Sequence, residues 1–549
     1  MQQSSAVVLP AAMSSWRGLG LWNFYFITKL VLLWYGQLNF HALENLAFAA
    51  FLLFPLSPQW LHRLRHVLAI PLGVALYYYD SWLPPFSRLL ANSAQVGQFS
   101  ADYMLELAGR FINPTWLAAG LILLVGYLFI SHWIRVTSFT VATLVLVLVL
   151  GNSQLFVPQQ ATVAVRLSTA VSGAPVAGDA APVVIDDAFL NAALDDFYTR
   201  QGQQVTQFPS ALAADALPVD VLMLNICSLA WDDLDESGMR QHPLWAKMDI
   251  LFDDFNSAAT YSGPAVLRLL RASCGQASNA DLYRPGAKQC FLFENLKQLG
   301  YTDGLLLNHT GRFDNMLGLL RDGGRLQAEA SPFGELRPAL TGFDGSPIYR
   351  DRDVLTQWWQ QRLSSGSPRE ALFYNSITLH DGNRRLDKVT GKAVSADYKV
   401  SLNQVLDDLD SFIEHLQASA KPVLLVIVAE HGAALRGDLM QVKGMREIPS
   451  PTVTHVPAGI KLINAKAQLP QQPLHIQAPS SYQALSELIA RLVDGEAYRT
   501  ADFDLLGVTR DLPGLDMVVA ENEGSVMVRL HNEHYLRMEN QGWIPYPQR

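Results

Sequence analysis

The chain has 549 residues, more than one hydrophobic core usually organises, so two or three domains are expected. Half of the residues are hydrophobic and only 17% are charged, a balance that fits a membrane part fused to a soluble one. The formal net charge of -9, without a dense basic patch, argues against a nucleic-acid partner.

Hydrophobic runs cluster before residue 160 and are absent after it. Five are expected to cross a lipid bilayer as helices: 19–38, 44–60, 65–82, 116–134 and 138–157. The last two are the clearest. For the first three, interfacial helices are the alternative: the first contains Lys29, and the third is short before it meets Asp80. A lysine inside a span costs free energy unless it is paired or snorkels; snorkelling of its ammonium to the surface is the expected remedy, with a lipid headgroup or a partner subunit as the alternative. More runs follow the first directly and no small-residue cleavage site appears, which argues against a removable signal peptide. Arg17, Arg63, Arg65 and Arg135 lie in short flanking segments and loops; placing them inside puts everything after residue 158 outside. The organisation expected is a transmembrane domain over 1–157, an Ala-, Val- and Pro-rich linker over 158–215, and a catalytic domain over 216–549.

After residue 217 short apolar runs alternate with amphipathic ones, the pattern of an α/β fold with a mainly parallel sheet. Strands are expected at 219–226, 303–308, 371–379 and 422–429, with a helix at 398–417. They end, in turn, in Cys227, His309, His380-Asp381 and Glu430-His431. Ligands bind at the carboxyl ends of strands in such sheets, and four strands there deliver metal-ligand or acid–base residue types. For His309 a surface loop position beside Asn308 and Thr310 is expected, with facing the site as the alternative. The segment Thr260-Tyr261-Ser262-Gly263-Pro264 reads as a loop entering a helix, with Ser262 at its amino terminus. Taken alone, Ser262 reads as an N-cap; beside the other clusters it reads as a nucleophile at an anion-binding helix end. Bound to Zn2+, a serine hydroxyl can ionise and attack phosphorus. Cys227, Glu430 and His431 then supply three ligands, with Ser262 in the fourth position. The alternatives are a buried apolar cysteine and a polar strand end. Of the three cysteines, Cys274 and Cys290 enclose a loop of about 15 residues, a disulfide in an oxidising compartment or else two thiols.

LNICSLAWDDL around Cys227, TYSGP around Ser262, the Cys274/Cys290 pair and VAEHG around Glu430 and His431 resemble the membrane-bound phosphoethanolamine transferases of the alkaline phosphatase superfamily, and within them the cellulose-modifying members. The resemblance implies a periplasmic alkaline-phosphatase-like α/β sandwich carried by an inner-membrane bundle. It implies phosphatidylethanolamine as donor, cellulose as acceptor, and contact with the cellulose synthase complex. Lipid A-modifying relatives hold zinc with Glu, Thr, Asp and His; the set Cys227, Ser262, Glu430, His431 departs from them as the cellulose-modifying members do. The resemblance further implies His380 near the transferred phosphate, Arg446 rather than His455 as its second neighbour, and a positioning role for Tyr261, for which simple packing is the alternative. Val266 stands where sulfatases need arginine. Transfer to lipid A or another glycan, and a mainly scaffolding subunit, are the competing functions. Trp231 and the pair Trp358-Trp359 could stack on sugars, with helix packing expected for the pair. No role is assigned to the tail after residue 510.

Overall fold

Pairing of distant apolar runs decides the architecture. The computed structural model describes residues 18–56, 59–81, 97, 99–110, 114–152, 185–387, 392–438, 440–539 and 541–546. The chain divides into two compact units: 1–93 with 107–185 and 438–440, and 94–106 with 186–437 and 441–549.

The first unit is helical, with Trp22–Trp34, Ala42–Leu53, Gln59–Tyr79, Pro114–Ile130 and Val136–Asn152 falling on the five apolar runs. The second helix stops at Leu53 because Phe54 precedes Pro55 and is held in an extended conformation. Among the described residues no single helix is long and apolar enough to cross a membrane. Arg17 and residues 153–157 of the last run lie outside the described residues. Phe26, Phe48, Ala49, Leu52, Ala69 and Leu144 form a small core. Ile70, Leu117, Ile122 and Phe129 face outward, each more than half exposed. Lys29 does not snorkel, contrary to expectation. It is fully buried, paired with the equally buried Asp80, and donates to Asn45 Oδ1 at 2.7 Å. His41 Nδ1 lies 2.8 Å from the other Asp80 oxygen. Two buried charges that satisfy each other remove the desolvation cost that drives snorkelling.

The second unit is built on a seven-stranded sheet. Across it run Leu474–Ile476, Ile250–Phe252, Ala458–Ile463, Val423–Ala429, Asp220–Ile226, Glu370–Ser376 and Thr302–Leu307. Only Ala458–Ile463 runs against its neighbours. The four expected strands are its adjacent parallel members, largely apolar in sequence because both faces are covered; the third stops at Ser376, so His380 lies beyond the strand and not at its end. Helix Tyr398–Ala418, capped by Asp397 onto the Val400 N–H, packs Leu402, Val405, Leu409 and Phe412 into the core. Trp358 and Trp359 are buried in helix Asp351–Leu363, and Trp231 packs on Trp245, so none of the three is a sugar platform.

The described part of the expected linker holds a helix, Asp187–Gln201, capped by Asp186 and burying Leu190, Leu194 and Phe197. Apolar residues at helical spacing after a capping aspartate override the loop-like composition around them. Residues 158–184 lie outside the described residues. The tail forms an antiparallel sheet of Val518–Asn522, Ser525–Leu530, Glu533–Met538 and Trp543–Pro545. Cys274 and Cys290 are joined as a disulfide.

Candidate metal centre and nucleophile

Register brings the candidate ligands together. Ile226 pairs with Ala429, so Cys227 and Glu430 leave two adjacent strands side by side. The Glu430 N–H donates to the Ile226 carbonyl at 2.9 Å, and the Cys227 N–H to the Ser376 carbonyl of the next strand at 3.0 Å. Ser228 then turns the chain with a φ of +58°, an uncommon conformation for a non-glycine residue. Ser262 opens helix Ser262–Leu270, with Tyr261 at the N-cap position. The N-cap alternative for Ser262 is therefore not realised.

Its hydroxyl instead stands 3.3 Å from Cys227 Sγ and 3.4 Å from His431 Nε2. Cys227 Sγ and His431 Nε2 are 3.8 Å apart, and His431 Nε2 is 3.8 Å from Glu430 Oε2. Bond lengths of about 2.0–2.3 Å around tetrahedral zinc put neighbouring ligand atoms about 3.3–3.6 Å apart, so these side chains already sit near the edges of such a tetrahedron. Cys227, Glu430 and His431 are all buried. Glu430 Oε1 accepts from Asn375 Nδ2 at 2.6 Å, whereas Oε2 has no hydrogen-bond partner of regular geometry. An orphaned, buried carboxylate oxygen beside a thiol and an imidazole fits a cation. His431 Nδ1 lies 3.0 Å from the Gly432 carbonyl; donation there leaves the Nε2 lone pair for the centre.

Burial, and secondarily Glu430, pushes the Cys227 thiol up to about 12. Burial also raises the Glu430 carboxyl and holds His431 well below its ordinary range. Each shift opposes the charge or proton that water would allow, and a divalent cation reverses the balance for the thiol and the carboxyl.

His380 and Arg446 line the same cavity as Ser262, a space of about 100 Å3. His380 Nδ1 lies 2.7 Å from the Asp381 carbonyl, and burial, with Arg446 next, lowers its pKa to about 4. Arg446 Nη1 reaches Ser228 Oγ at 3.3 Å and stands 3.1 Å from His431 Nδ1. Tyr261 is partly exposed rather than packed. Its hydroxyl donates to Glu447 at 2.6 Å, and its ring lies 5.4 Å from the Arg446 guanidinium. His455 lies apart from this cavity and bonds the Asp253 carbonyl at 2.7 Å.

For His309 the alternative to a surface loop is realised: it is buried in the cavity wall. The Gly311 N–H donates to its Nδ1, so its Nε2–H donates to Asn375 Oδ1 at 3.0 Å. Sequence reasoning missed Asn375, which ties His309 to Glu430; an amide inside an otherwise apolar strand was the available signal. It also missed the wall behind His380, where Phe343 stacks on the imidazole at 4.5 Å and Tyr103 donates to Asp381 at 2.9 Å.

Fold and site together define an α/β protein with a candidate metal centre set against a serine at a helix amino terminus. The chain belongs to the family of cellulose biosynthesis protein BcsG: models of that family's N-terminal and C-terminal domains match residues 22–149 and 176–543. It is 44% identical over 547 residues to cellulose biosynthesis protein BcsG of Escherichia coli strain K12, covering 97% of each chain. The same identity and coverage hold for the protein of that name from Salmonella typhimurium. Among solved structures it is similar to the integral membrane lipooligosaccharide phosphoethanolamine transferase A of Neisseria meningitidis, with a TM-score of 0.42 and 12% identity over 89% of this chain and 96% of that one.

Proposed function

We propose that this protein is a zinc-dependent phosphoethanolamine transferase of the alkaline phosphatase superfamily that moves phosphoethanolamine from phosphatidylethanolamine to glucose hydroxyls of secreted cellulose. The observation that carries the reading is the Ser262 hydroxyl held 3.3–3.4 Å from Cys227 Sγ and His431 Nε2. The family's name supports cellulose as the acceptor and the cellulose synthase complex as the setting. Outward apolar side chains on the first unit support an inner-membrane bundle, and the Cys274–Cys290 disulfide supports a periplasmic second unit.

Cys227, Glu430, His431 and Ser262 would hold Zn2+, which supplies positive charge that acidifies a hydroxyl and neutralises the phosphoryl group. Ser262 Oγ attacks phosphorus and gives its proton to His380. The bond from phosphorus to the diacylglycerol oxygen breaks, and that oxygen takes the proton from His380. A glucose hydroxyl, the primary C6 hydroxyl in this scheme, then attacks phosphorus and passes its proton through His380 to the departing Ser262 oxygen. The hydrogen bonding of His380 allows this: donation of Nδ1–H to the Asp381 carbonyl leaves the Nε2 lone pair for the cavity, and burial keeps the ring neutral at rest. Arg446 offers fixed charge to the equatorial oxygens, and Tyr261 shapes its position through the ring contact and Glu447.

The test is the mass of the Ser262 peptide after purified protein meets zinc and phosphatidylethanolamine. A phosphoethanolamine adduct that disappears in Ser262→Ala supports the reading; no adduct, with zinc present and donor intact, refutes it.

A further inference from the structure

Among the described residues, the cavity that opens on Ser262 is lined by one permanent cation, Arg446, and by two carboxylates, Asp314 and Asp344. Asp314 lies beside the nucleophile's own turn: its Oδ2 is 3.9 Å from where a Cβ on Gly263 would stand. The chain presents it through two successive non-glycine residues in the left-handed region, Asp314 and Asn315, at φ +51° and +50°. Such conformations cost free energy and persist where surrounding structure enforces them. Asp344 is fixed in a turn, its Oδ1 accepting from the Ser346 N–H at 3.0 Å and the Ser346 hydroxyl at 2.7 Å. The same lining holds two aromatic rings, each next in sequence to one of these carboxylates. Phe313 meets Phe343 edge to face at 4.6 Å, and Phe343 covers His380.

A phosphate diester held at Ser262 and Arg446 with an ethanolamine headgroup carries an ammonium two carbons beyond its ester oxygen. A carboxylate next to aromatic faces is the environment that selects a compact cation over a neutral diol, through charge-assisted hydrogen bonds and cation–π attraction. We propose that Asp314, assisted by Asp344, Phe313 and Phe343, receives the ammonium of the donor headgroup and sets headgroup specificity. This rests on Ser262 being the nucleophile toward phosphatidylethanolamine.

The experiment gives full-length protein, in detergent with zinc, equal amounts of phosphatidylethanolamine and phosphatidylglycerol, and reads the ratio of the two adducts on Ser262 by mass. Wild type favours the ethanolamine adduct. Asp314→Asn lowers that ratio by about 10- to 100-fold, the range for losing a hydrogen bond to a charged group. A ratio unchanged in Asp314→Asn overturns the proposal. Should that variant form neither adduct, Asp344→Asn and Phe313→Leu are read by the same ratio: a fall in either supports the proposal, and wild-type ratios in both overturn it. Equal labelling by both lipids in wild type removes the ammonium subsite and leaves the transferase standing. No labelling by either lipid in wild type removes the transferase itself, and the subsite with it.

Discussion

Replacing Asn375 by alanine cuts the link between the cavity wall and a candidate metal ligand without touching any ligand atom. The Asn375 amide donates to Glu430 Oε1 at 2.6 Å and accepts from His309 Nε2–H at 3.0 Å, all three side chains being buried. A hydrogen bond to a charged acceptor contributes about 1.5–3 kcal/mol. Loss of an outer-shell partner typically lowers metal affinity about 10- to 100-fold, or about 1.4–2.8 kcal/mol. The two routes agree, so Asn375→Ala is expected to weaken zinc binding by that factor while Cys227, His431 and Ser262 stay in place. The assay is zinc competition against a chelator of known affinity near neutral pH, with circular dichroism to verify folding. A folded Asn375→Ala protein that binds zinc within about twofold of wild type would refute the assignment of Glu430 as a ligand oriented by Asn375.

In the helical unit, Lys29→Met takes the ammonium away from the buried Asp80 carboxylate, which keeps only His41 and Asn45 as partners, and is expected to cost about 3–5 kcal/mol; Lys29→Met with Asp80→Asn should recover most of it. Thermal unfolding in detergent reads this, and equal losses in the single and double variants would count against a buried pair. His309 is held at about 4 by burial, below the ordinary 6.5, so its native form is neutral. Stability is therefore unaffected by this group above pH 6.5 and falls as pH drops from 6.5 toward 4, by about 3 kcal/mol in all. Denaturant titrations across that window should show a shallower fall in His309→Gln than in wild type; identical slopes would place the loss on other histidines.

Much of the second unit is legible in the chain itself. The strands ending at Ile226, Leu307, Ser376 and Ala429 announce themselves as short apolar runs bounded by polar residues, and Pro264 marks a helix start. Helix Asp187–Gln201 was equally written in the sequence, as Asp186 followed by Leu190, Leu194 and Phe197, but the Ala- and Pro-rich stretch before it masked the signal. The placement of Cys227, Glu430 and His431 at strand ends is local information too.

What no local pattern contains is which strand lies beside which. The sequence by itself determined the elements, the residue types at their ends and the helix that presents Ser262, because periodicity, caps and turns act over a few residues. The tertiary structure decided that Ile226 meets Ala429, and so that Cys227 stands next to Glu430. It decided that Asn375 reaches both Glu430 and His309, burying a histidine that by sequence belonged on a loop. It gave Lys29 a partner in Asp80 rather than a path to the surface. Each of these is a pairing of groups far apart in the chain, selected by burial: a charge or amide taken out of water must find its partner wherever packing brings one, and sequence distance does not enter that balance.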